Sequence, residues 1–342
     1  MKKLEKSWIN IQDSNIQNIF IPTYKLRTLI LSGSTVHGST MVGVTEIENI
    51  RMRNTKFIGH FHCASITNKI DANRAVFNRD FSFASTIYEY ARFNSCRFLQ
   101  SCLIFSRDGK VFGDDAQNKF KYVGFDQTIF DKPTQTLFQD VDLRKASFKS
   151  VSLVGIRFYN TNFYQSSLNR NGLYNEVIML EKGFKEAENR HLIHEYRQLR
   201  MAMENNKDYI KAHDFYIGEM EARQRGTRNW IILLYKFSSF YGTDYKKAFK
   251  FLFLLFCVHF LLTVVLSTNL QFQKLFYLQY YEEAWTRLGD ILVHSLNTIT
   301  LQKNGLLSNT SFWQKVFDVT FRIIFPIQAA MFVLALRNMT KR

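Results

Sequence analysis

Near the C-terminus an apolar run, Val316–Leu336, carries three residues that apolar surroundings penalise: Asp318, Arg322 and Gln328. Charged groups inside such a segment face protein or water rather than lipid. Asp318 and Arg322 are four apart, so on a helix they can form an intramembrane charge pair along one face. Thr320, Ile324, Gln328, Met331 and Ala335 define a different face, suited to lining a pore. Pro326 is placed to kink the helix. Upstream, HSLNTIT at 294–300 adds Thr298 and Thr300 as further pore-lining candidates. The polar residues Gln302-Lys303-Asn304-Gly305 follow. Hydroxyl, amide and carbonyl groups at membrane depth are the means by which channels replace an ion's hydration shell.

Other clusters are weaker. His191, His194 and Glu195 share a helix turn and His213 lies within reach of them, but the spacing fits no metal-ligand signature. His60 and His62 alternate along an extended segment and point to no site. There is no GxGxxG, Walker, HExxH or GxSxG motif, so no enzyme activity, catalytic residue, cofactor or metal is expected. The four cysteines, Cys63, Cys96, Cys102 and Cys257, form no CxxC pair, which fits a reducing compartment.

These residues need spans to hold them. Ala248–Leu266 is apolar except for Lys250 and His259 and reaches ~28 Å as a helix, enough for a hydrocarbon core. The expected membrane domain is 228–342. It comprises an interfacial aromatic helix at 228–241, a first span at about 248–266, a pore-helix-like segment at about 289–301 and a second span at about 316–336. Asp290 is placed to cap the third of these. Lys246, Lys247 and Lys250 precede the first span, and Arg337, Lys341 and Arg342 follow the second. The positive-inside bias puts both termini in the cytoplasm.

Before residue 180 another rule holds. In FQDVDLRKASFKSVSLVGIRFYNTNFYQSSL, 138–168, a large apolar residue returns every fifth position, from Phe138 through Leu143, Phe148, Leu153, Phe158 and Phe163 to Leu168. Two positions before each stands a smaller or β-branched one: Thr136, Val141, Ala146, Val151, Ile156, Thr161 and Ser166. Phe93, Phe98 and Leu103 keep the period, as do Phe120, Phe125 and Phe130. Leu26, Leu31, Val36 and Met41 form a weaker run. Neither a helix nor a strand has a period of five. A backbone turning a corner every five residues does, and stacked coils of it make a solenoid. Residues 104–119 read as an insertion, and 131–135 shift the frame around Pro133. Beyond 180, Leu192, Tyr196, Leu199 and Met203 lie on one helical face. Asn205-Asn206 make a turn, and Asp208 starts a second helix presenting Tyr209, Ala212, Tyr216 and Met220.

The fives resemble the pentapeptide-repeat family, whose fold is a right-handed quadrilateral β-helix with four pentapeptides per coil. The resemblance covers roughly 26–173 and implies about seven coils, about 35 Å long. The segments 196–225, 294–300 and 326–342 make the C-terminal part similar to bacterial pentapeptide-repeat proteins with a two-transmembrane, ion-channel-like end. The fold class implied is β + α. A β-helix at 1–180 is followed by a helical hairpin linker at 181–227 and a two-transmembrane α-helical pore domain. No Gly-Tyr-Gly filter follows Thr300, so the resemblance implies a pore without potassium selectivity.

The function expected is an oligomeric channel or pore of the bacterial inner membrane, multi-pass and favouring a tetramer, gated through its cytoplasmic repeat domain. A nucleotide- or oligonucleotide-regulated anti-phage defence effector is one such context. The alternative is a membrane-anchored scaffold that binds a protein partner without conducting. The chain has 45 Lys+Arg against 29 Asp+Glu, a net charge of +16. Such a field favours membrane lipid and an anionic regulator on the cytoplasmic part. Mimicry of duplex DNA needs an acidic surface, so that role is disfavoured, and no duplex DNA binding is expected.

Overall fold

The computed structural model describes residues 8–22, 25–43, 46–84, 86–105, 122–166, 170–227, 229–266, 281–300 and 312–340. The chain divides into two units, Met1–Thr227 and Arg228–Arg342.

The first unit is a parallel β-solenoid, consistent with the pentapeptide-repeat fold, closed by helices. Three sheets of seven, six and seven strands form its walls. Registers advance by one coil at a time: Ile50 pairs with Ile70, Phe57 with Val36 and Phe77, and Phe61 with Phe81. These advances are twenty residues, four fives, or twenty-one, as from Val36 to Phe57. Most of the anticipated interior residues point inward: Phe138, Leu143, Phe148, Leu153 and Phe163 are buried, as are Thr136, Val141, Ala146, Val151, Ile156 and Thr161, while Phe158 and Ser166 are half-buried. Leu168 lies outside the described residues.

Stacking coils superimposes like on like. Phe57, Phe77, Phe98 and Phe130 form a ladder with ring centroids 5.0, 4.9 and 5.2 Å apart and nearly parallel planes. A second ladder joins Phe93, Phe125 and Phe148 at 5.4 and 5.5 Å. The spacing is the inter-strand distance, so one ring per coil fills the interior without gaps. Cys63, Cys96 and Cys102 are small core residues here, buried as thiols rather than joined in disulfides. Burial pushes the Cys96 thiol up to about 12, which leaves it inert.

Two expectations of the fives fail in the third wall. Met41 is exposed and Leu103 only half-buried, whereas Thr40, Val42, Cys102 and Ile104 are buried. The buried pair there is still two apart but stands one residue later, because the step from the wall before it takes six residues, as from Val36 to Val42 and from Phe98 to Ile104. The frame shift at Pro133 is taken up by a 3₁₀ turn, Pro133–Gln135. Of the insertion expected at 104–119, residues 106–119 lie outside the described residues. The coil resumes beyond it, Tyr90 pairing with Tyr122.

Three helices follow the last coil: α1 (Tyr174–Lys182), α2 (Glu186–Asn205) and α3 (Tyr209–Thr227). α2 buries Leu192, Tyr196, Leu199 and Met203 as expected. α3 buries Ala212 as expected, but its other buried residues include Phe215, Ile217, Gly218 and Ala222, while Tyr209 is exposed and Tyr216 and Met220 are half-buried. Gly218 makes this packing possible, because a Cβ there would sit 2.4 Å from the Tyr196 ring. Phe215 meets Phe163 edge to face at 5.1 Å, so the hairpin covers the coil's end.

Among the described residues the second unit has four helices: α4 (Trp230–Ser239), α5 (Tyr245–Leu266), α6 (Tyr281–Ile299) and α7 (Phe312–Thr340). α5 and α7 are long and apolar enough to cross a membrane, with mean hydropathies of 2.3 and 1.9. α6 begins well before the segment anticipated at 289–301 and is a full 19 residues.

Candidate functional site

Asp318 stands on the buried stripe of α7, with Gln314, Phe321, Phe325, Gln328 and Ala335. That stripe follows the helical repeat and turns Asp318 toward α5 and α6. Its Oδ1 lies 3.1 Å from His259 Nε2 on α5, and its Oδ2 lies 3.0 Å from His294 Nε2 on α6. Both imidazoles are almost wholly buried. An ionised carboxylate only accepts, so each Nε2 carries its proton and donates. His259 Nδ1 is 3.1 Å from Ser295 Oγ. With His259 neutral, the Ser295 hydroxyl donates to that nitrogen.

One carboxylate therefore ties three helices together. Phe321 and Phe325 pack edge-on against the His259 ring, at 5.0 and 6.1 Å, and keep the cluster dry. Sequestering a carboxylate is costly unless its oxygens are paired, and here both are. A further proton finds a place at His259 Nδ1, which would then donate to Ser295 Oγ. The cluster can thus hold a proton inside the bundle as well as fix α6 between α5 and α7.

The partners shown for Asp318 are these histidines, rather than the Arg322 anticipated as its charge pair. Arg322 is half-buried and lies one position off the stripe that carries Phe321 and Phe325. Neither histidine had been singled out as a site residue. The signal that could have found them was available: each is an ionisable group in an otherwise apolar helix, and such groups need partners.

The pore-lining candidates separate into two groups. Thr298 is buried and donates to His294 O at 3.0 Å. Gln328 is buried, its Nε2 donating to Ser238 O at 3.2 Å and Ala248 O at 2.9 Å. Met331 is half-buried, and its sulfur lies 3.3 Å from Ser238 Oγ. These three serve the protomer's own packing. Gln328 and Met331, with Asn338 bonded to Gly242 O at 2.9 Å, hold the elbow between α4 and α5. Phe240, Tyr241 and Gly242 all have positive φ at that elbow. Thr300, Thr320 and Ile324 are exposed. The hydroxyls of Thr300 and Thr320 bond carbonyls of their own helix, at 3.0 and 2.8 Å, a usual way to satisfy a threonine in an apolar setting. Gln302 and Lys303 lie outside the described residues.

The remaining candidates do not converge. On α2, His191 is exposed while Glu195 turns inward. His60 pairs with Asp80 at 3.2 Å and His62 with Ser82 at 3.2 Å, each on the outside of a wall.

No family model, curated protein or solved structure matches the chain.

Proposed function

We propose that this is a membrane-anchored pentapeptide-repeat protein whose second unit is one subunit of an oligomeric ion-conducting pore in a bacterial inner membrane. The observation that supports it most is α6. A tether needs only apolar spans, yet here a third helix is held against both α5 and α7 through a buried carboxylate and two imidazoles. Span, intervening helix and span is the order in which two-transmembrane channels present a pore helix. Two spans cannot enclose a path, so conduction requires several copies. Four is the number the resemblance suggests. Thr300, Thr320 and Ile324 are the exposed candidates left to line that path. The lysines in the first turns of α5 and Arg337 in the last turn of α7 favour a cytoplasmic placement of the repeat domain, which would carry the gating input.

Conductance of the purified full chain in planar bilayers tests this. Discrete currents are expected, and Thr320→Trp should reduce them while leaving the melting temperature unchanged. Silence across voltages and ion types, from protein shown to be oligomeric and inserted, defeats the proposal.

A scaffold without conduction is the second reading. It is favoured by the inward turn of Thr298 and Gln328 and by the apolar residues exposed on α5 and α7, among them Phe253, Leu261, Val319 and Ile327. Under it, inserted oligomers are silent and Thr320→Trp changes nothing.

A further inference from the structure

We propose that one corner of the solenoid binds a small phosphate-bearing anion, with Arg53 and Arg74 as the principal contacts. Two adjoining hollows meet at Arg53. One, of about 420 Å³, is lined by Arg53, Asn54, Asn73, Arg74, Asn94 and Ser95. It contains two guanidinium groups and no carboxylate. The other, of about 290 Å³, adds Arg51, Lys69 and Tyr90, with Asp71 as its one acid.

The coil's own hydrogen bonds determine what this corner can offer. Asn73 Oδ1 accepts from Asn94 N at 3.2 Å, and Asn94 Oδ1 accepts from Asp126 N at 3.0 Å. The oxygen ends of both amides are thus occupied by the next coil, which leaves the Nδ2 ends as the donors available to a ligand. The Asp71 side chain is almost wholly buried and is engaged by Arg53 Nε at 2.6 Å. Its charge is answered within the wall, while more than half of the Arg53 side chain remains exposed. The corner therefore presents donors and positive charge, the complement of phosphate oxygens.

Arg74 sits at φ 60°, in a column of left-handed corner residues with Asn54 at 55°, Ser95 at 57° and Gln127 at 59°. The coil imposes that conformation at each corner, and at this one it sets an exposed guanidinium on the rim of the hollow beside Arg53. The combined hollow suits a chain of two or three phosphates, with or without a nucleoside reaching toward Tyr90. This site stands whether or not the second unit conducts.

The test is calorimetric titration of the full chain in detergent with inorganic tripolyphosphate and with ATP, at ~0.15 M salt to screen diffuse attraction. Both should bind. Arg74→Ala should weaken both at least ~10-fold, the loss of about one charged hydrogen bond. Arg53→Ala alone would strand the buried Asp71, so it is paired with Asp71→Asn, and that double variant should weaken binding similarly. Arg157→Ala, exposed on the third wall, should bind as the parent does. ATP binding more tightly than tripolyphosphate would assign the nucleoside to the hollow beside Tyr90. Equal affinities would assign the site to phosphate alone. The proposal is overturned if neither anion binds, or if Arg74→Ala binds both as tightly as the parent chain.

Discussion

At the scale of single residues, Glu195 makes a measurable claim about the first unit. It is buried on α2, and Asn175 Nδ2 donates to its Oε2 at 3.2 Å and to Ser147 Oγ at 2.9 Å. Burial raises its pKa from 4.5 to about 8, opposed by the Asn175 hydrogen bond. The folded state thus keeps a proton that the unfolded chain releases above 4.5. Stability from this group is complete below that value and falls as pH rises toward 8, by at most ~1.4 kcal/mol per pH unit. Thermal melts followed by circular dichroism should show a lower midpoint near pH 8 than near pH 5. Glu195→Gln keeps an acceptor for Asn175 and carries no charge, so it should shrink that difference and raise the midpoint at the higher pH. A pH difference unchanged by the substitution would place its origin elsewhere.

At the scale of elements, legibility followed the range of the interaction. Phe138 to Phe163 announce the coil because each interior residue is fixed by its place in the local turn, and stacking repeats that rule. Met41 and Leu103 escaped the rule because the step into their wall takes six residues, which moves the buried position to Val42 and Ile104. The inner face of α3 was missed because Gly218, which contributes no hydrophobicity, decides where Tyr196 fits. Asp318 was legible as a residue needing a partner but not as to which one. His294 and His259 lie 24 and 59 positions away in sequence, whereas Arg322 stands one helical turn further along α7. Only the packing of α5, α6 and α7 selects among them. Asp318→Ala should consequently leave two buried Nε2–H donors unmet, at a cost of about 2–5 kcal/mol. A melt in detergent should register it as a lower midpoint. Replacing Asp318, His259 and His294 together by leucine should recover part of the loss, because both stranded donors are then removed, although the Ser295 hydroxyl loses its bond to His259. If Asp318→Ala melts as the parent does, the carboxylate is not what holds α6 in place.

At the scale of the whole molecule, the solenoid has an end that must be closed. A parallel coil terminates in strand edges and an open hydrophobic bore, both prone to pair with another chain. Here Phe215 lies on Phe163, Arg170 bridges Glu221 at 2.8 Å, Asn171 N reaches Asp214 at 3.1 Å, and Arg225 meets Glu176 at 2.5 Å. Each contact joins the end of the coil, or the α1 that follows it, to α3. The hairpin is therefore part of the first unit's fold rather than a passive linker, in keeping with the division of the chain at Thr227. Residues 1–227 alone should be soluble and monodisperse by size-exclusion chromatography. Residues 1–173 contain the same coils but lack the cover, and should aggregate or run as larger assemblies. A monodisperse 1–173 fragment would show that the last coil closes itself, and the helices would then be free to serve another purpose.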